Sequence, residues 1–64
     1  MKIEVTIQKS VPAADWHRRA NKAARRMAQV LGVDWIDADV IVYLPERGRF
    51  MTKSPGRDQL VAHG

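Results

Sequence analysis

The chain has 64 residues with a formal net charge of +4 and no cysteine. That length suits one small domain with a modest core, and the missing thiols exclude disulfides and thiolate metal sites. The longest apolar run, Val40 to Leu44, is far short of the roughly 20 residues that span a bilayer, and the N-terminus lacks a signal-peptide core, so a cytoplasmic protein is expected.

Lys2 to Gln8 alternates strictly: Ile3, Val5 and Ile7 fall on one face, and Lys2, Glu4, Thr6 and Gln8 on the other. This is the pattern of a half-buried strand, with β-branched residues at its core positions. Lys9 to Pro12 breaks the alternation. Ser10 is available as a helix cap, and Pro12 is compatible only with the first turn of a helix.

Ala14 to Leu31 reads as one amphipathic helix. Trp16, Ala20, Ala23, Ala24, Met27, Val30 and Leu31 recur at steps of three and four and define its core edge. Arg18, Arg19, Lys22, Arg25 and Arg26 fall outside that edge, and Asp15 suits the positive end of the helix dipole. Gly32 is placed to end the helix in a left-handed conformation.

Val33 to Asp37 is a connection in which Trp35 and Ile36 are expected to close over one end of the core, with Trp35 alternatively an anchor for a partner. Ala38 to Leu44 is a second strand, apolar on both faces and therefore central in its sheet. Pro45 to Gly48 forms a turn, and Arg49 to Lys53 returns as a third strand with Phe50 in the core. Ser54-Pro55-Gly56 punctuates the chain again. Residues 57 to 64 carry only Leu60, Val61 and Ala62 to pack, and helical turn, short strand and disorder remain open for them.

The expected architecture is α+β: a βαββ layer at 1–53 with one helix on a three-stranded mixed sheet, followed by a short tail at 54–64. The first two strands, joined through the helix, would lie parallel if adjacent, by a right-handed crossover. The uncovered sheet face presents Ile41 and Tyr43, a reason to expect a homodimer or another docked partner there.

Charge is uneven along the chain. Up to Val33, seven Lys or Arg face only Glu4 and Asp15, whereas from Asp34 onward four basic residues meet five acids. The excess therefore belongs to the helix half. Such a field speeds encounter with a polyanion or an acidic protein surface. The expected partner-binding residues are Arg18, Arg19, Lys22, Arg25 and Arg26, joined by Arg47 and Arg49 from the hairpin.

The opening Met1-Lys2-Ile3-Glu4-Val5-Thr6-Ile7-Gln8-Lys9-Ser10 resembles the start of the DinI-like family, small bacterial and phage proteins of the DNA-damage response. Pro12, the helix rich in basic pairs and the later strand-turn-strand follow the same order, to about Lys53. The resemblance implies a non-enzymatic protein that binds a recombinase filament and adjusts its stability. In that family the contact is attributed to an acidic C-terminal helix, whereas this chain has only Asp58 after Lys53, so no functional residue carries over.

Asp34, Asp37 and Asp39 form a carboxylate cluster, but it lacks the glycine and the distant glutamate of an EF-hand loop, and no metal or other cofactor is expected. These acids are expected to begin the strand, to stay solvated, or to pair with the basic helix or with Arg47 and Arg49. His17 and His63 have no suitably spaced nucleophile or acid, so enzymatic chemistry is not expected; a hydrolase or nuclease using the aspartates is the weakest of three readings. The preferred one is a small regulator or inhibitor docking on a larger protein or nucleoprotein complex, such as a recombinase filament or, for a phage inhibitor of the anti-CRISPR kind, a host nucleic-acid defence complex. The alternative is direct binding of DNA or RNA by the basic helix face.

Overall fold

The computed structural model describes residues 1–64. Strand β1 (Lys2–Thr6) leads through a 3-10 turn (Ala13–Asp15) into helix α1 (Trp16–Leu31). A second 3-10 turn (Trp35–Asp37) then precedes β2 (Asp39–Tyr43), β3 (Phe50–Lys53) and β4 (Val61–His63). The sheet runs in the order β1-β2-β3-β4. β1 and β2 are parallel, with Ile3 opposite Val40 and Val5 opposite Val42; β3 pairs antiparallel with both β2 and β4. The fold is therefore α+β, one helix on a mixed sheet, and no helix is long and apolar enough to cross a membrane.

The expected three-stranded sheet has a fourth strand, drawn from the segment set apart as a tail. Its place is decided by distant partners: Leu60 is buried, and Ala62 sits opposite Met51 along the edge of β3. The Ser54-to-Arg57 turn brings the chain back, with Gly56 at φ 82° donating its N–H to the Ile36 carbonyl at 2.7 Å. Three residues are too few to show an alternating pattern in sequence.

Helix α1 packs by its smallest side chains. Trp16, Ala20, Ala24 and Ala28 recur every fourth residue and are all buried, and the alanines let the helix lie close to the sheet, chiefly over β1. The inner sheet face supplies Ile3, Ile7, Val40, Val42, Leu44 and Met51 to the same core. The indole of Trp16 is satisfied by donating to the Val11 carbonyl at 2.9 Å.

Three residues assigned to the core edge are exposed: Met27 (41%), Leu31 (46%) and Val30 (73%). The reason is partly one of length. The helix has 16 residues and spans about 24 Å, whereas β1 has 5 and spans about 17 Å. Ala28 is the last buried position of the stripe, and Val30 and Leu31 lie beyond it. Ser10 makes no cap either; the regular helix begins after a 3-10 turn in which Asp15 N–H donates to the Pro12 carbonyl at 2.9 Å. At the other end Gly32, at φ 73°, donates to Gln29 O and Val33 donates to Ala28 O, the paired bonds of a Schellman motif.

The outer sheet face is uncovered. Tyr43, Phe50 and His63 lie side by side across β2, β3 and β4. Phe50, expected in the core, is half-buried on this face, stacked on the His63 ring with centroids 5.1 Å apart. The two-residue period is the reason: Met51 and Lys53 take the inward positions, so Phe50 and Thr52 must point out.

Candidate docking surface

The basic residues of α1 divide according to what lies beside them. Lys22 points directly away from the core stripe, with Arg18 and Arg26 at its sides and Arg19 beyond Arg26. Arg19, Lys22 and Arg26 are exposed and make no ion pair or hydrogen bond within the molecule. Arg18 contacts Asp15 at 3.2 Å while keeping its side chain 74% exposed, so it remains accessible.

Arg25 is engaged. Its guanidinium contacts the Asp58 carboxylate at 3.0 Å, donates from Nε to Asn21 Oδ1 at 3.1 Å, and lies 4.6 Å over the Trp35 ring. Of the hairpin residues, Arg47 is exposed and unpaired; Arg49 is bound to Glu46 at 3.1 Å, with its guanidinium over the Trp16 ring. The seven expected contact residues thus comprise an accessible group, Arg18, Arg19, Lys22, Arg26 and Arg47, and two whose charges are already matched. Asp58 makes that division for Arg25, and it lies 33 residues away, beyond any local sequence signal.

Trp35 is a lid and not a free anchor. Its ring packs on the core and holds two cations, Arg25 and Lys53, and its Nε1 donates to the Asp58 carbonyl at 3.3 Å. Lys53 is the one buried charged residue, with 2% of its surface exposed. Its ammonium donates to the carbonyls of Ala38 at 2.9 Å and Ile36 at 3.3 Å, tying the connection before β2 to β3. In sequence Lys53 is only the end of a strand; the inward register of β3 gives it this role.

The aspartate cluster does not converge. Asp34 Oδ1 accepts the Ile36 N–H at 3.1 Å as a turn cap, Asp37 and Asp39 are exposed, and none of the three pairs with the basic helix, Arg47 or Arg49. No three acids or histidines are grouped to hold a metal ion. His63 Nε2 lies 2.6 Å from Thr52 Oγ1, on the open face, and no carboxylate bonds its other ring nitrogen. His17 borders a shallow cleft beside Asn21, Arg25 and Asp58. The arrangement offers charge and surface for binding.

Fold and surface together define a small α+β layer with a cationic helix back and an uncovered sheet face. No family model matches the chain, and no curated protein or solved structure is significantly similar to it. The DinI-like resemblance accordingly rests on the residues that suggested it.

Proposed function

We propose that this is a non-enzymatic regulatory or inhibitory protein that docks on a larger protein or nucleoprotein complex through the outer face of α1. The observation that carries the reading is the cluster of three unmatched cations, Arg19, Lys22 and Arg26, on one rigid element. Held on a helix, they present a fixed charge pattern, which speeds and orients docking on an acidic surface. A recombinase filament is one such complex, consistent with the DinI-like opening strand; a host defence complex is another. Direct nucleic-acid binding is less well supported, because the cationic face carries no exposed aromatic ring for bases to stack on: Trp16 is buried and Trp35 is occupied by Arg25 and Lys53.

The test is affinity capture from nuclease-treated bacterial lysate, comparing the protein with an Arg19→Glu, Lys22→Glu, Arg26→Glu variant whose fold is verified by circular dichroism. A partner protein retained by the first and lost by the variant supports docking. Equal capture by both defeats it. Capture seen only when nuclease is omitted, together with salt-sensitive mobility shifts on naked DNA or RNA, would favour the nucleic-acid alternative.

A further inference from the structure

The outer edge of β1 is unpaired, and beside it a groove separates the strand from α1. β1 ends the sheet, so only one of its two sides is bonded. Ile7 N–H donates to Tyr43 O at 2.9 Å, and Met1 O accepts from Asp39 N–H at 3.0 Å. Since backbone groups alternate sides along a strand, odd-numbered residues bond β2. The N–H and C=O groups of Lys2, Glu4 and Thr6 therefore point outward, ready to receive another strand.

The groove, about 280 Å³, has walls formed by Val5, Ile7 and Val11 on one side and Ala23 on the other, with Arg19 its only charged residue. Met27 and Val30 continue the Ala23 flank at steps of four and three, exposing apolar surface that the core does not use. No acid lines this groove. Glu4 belongs to the opposite face of the strand, where its carboxylate accepts from Tyr43 Oη at 3.3 Å and lies 3.8 Å from Lys2.

From this we infer that the β1 edge and its groove accept an acidic, extended peptide segment of a partner protein as a fifth strand. The inference rests on the docking reading above and names the kind of segment docked. Main-chain bonds to Lys2, Glu4 and Thr6 would hold the segment, alternate apolar side chains would fill the groove, and a carboxylate would reach Arg19, with Arg26 on the same flank. Charge argues against a second copy of this chain as the occupant: with a net +4, pairing two such edges would bring two sets of unmatched Arg19 and Arg26 together.

The experiment is amide hydrogen exchange by NMR on the full chain, with a capped seven-residue probe peptide carrying glutamate at its first, fourth and seventh positions and valine elsewhere. Exchange at Lys2, Glu4 and Thr6 should slow at least about tenfold at saturation, while the already bonded Val5 and Ile7 amides change little. An N-methylated probe, or one with lysine for glutamate, should give no such protection. Arg19→Glu with Arg26→Glu should weaken probe binding roughly tenfold. Thr6→Pro, which removes an outward N–H and no native bond, should abolish it.

No protection of these amides, or changes confined to arginine side chains, overturns strand addition. Protection that rises with protein concentration in the absence of probe overturns it in favour of a second copy, and equal protection by a single-stranded oligonucleotide overturns the peptide assignment. Lys22→Glu separates this inference from the docking reading, because Lys22 faces away from the groove: it should weaken partner capture and leave probe binding unchanged.

Discussion

Replacing Lys53 with methionine tests whether its buried ammonium is a clamp or a tolerated cost. Methionine keeps an unbranched stem in the same space and removes only the charge and its donors. The Ala38 carbonyl, bonded to Nζ at 2.9 Å in a buried setting, would lose that partner. Leaving such an acceptor unsatisfied costs about 1–3 kcal/mol, and the contact with Trp35, at 5.0 Å, adds about 0.5–1 kcal/mol. Relief of the ammonium's desolvation offsets part of this, so a net loss of about 2 kcal/mol is expected. For a domain of this size that lowers Tm by roughly 8–16 °C. Thermal and urea unfolding followed by circular dichroism would measure it, with exposed Lys22→Met as a control expected to stay within about 0.5 kcal/mol. The loosening should also be local: Gly56 N–H shares the Ile36 carbonyl with Lys53 and should exchange faster. A Lys53→Met protein as stable as the original, with unchanged Gly56 exchange, would refute the clamp.

Three other perturbations probe the fold and the division of the cations. Gly32→Ala forces a side chain into φ 73° and should destabilise by about 1 kcal/mol, read from the same unfolding curves. Ala24→Leu inserts bulk where the helix meets the sheet with no surface exposed; a loss of about 1–3 kcal/mol and an altered near-UV signal from Trp16 are expected. Asp58→Asn breaks an exposed ion pair and should cost at most about 1 kcal/mol. If docking uses the outer face of α1, the released Arg25 should also strengthen partner capture. A double-mutant cycle with Arg25→Met would isolate the pair's coupling.

The exposed apolar side chains of α1 bear on how the molecule works. Met27, Val30 and Leu31 do not contribute to the buried core, and Tyr43 and Val61 are exposed on the open sheet face. Scattered singly, such residues carry little meaning, but Met27 and Val30 lie on the helix flank that Ala23 begins, with the unmatched Arg19 and Arg26 alongside. This combination favours recognition of an extended segment over a flat, purely electrostatic contact.

Local pattern alone determined much of this protein. The two-residue alternation of Ile3, Val5 and Ile7 marked β1, the recurrence of Trp16, Ala20 and Ala24 marked the helix, and Gly32 marked its end, because each signal spans only a few bonds of chain. Chain order also set β1 and β2 parallel once adjacent, and the tertiary structure makes them neighbours. Tertiary structure decided what depends on residues far apart: the fourth strand, the inward turn of Lys53, the outward turn of Phe50 and the capture of Arg25 by Asp58. A charged side chain reads the same in sequence whether it is solvated or matched. Only the packing of distant segments sets the distances at which its charge is cancelled or left for another molecule.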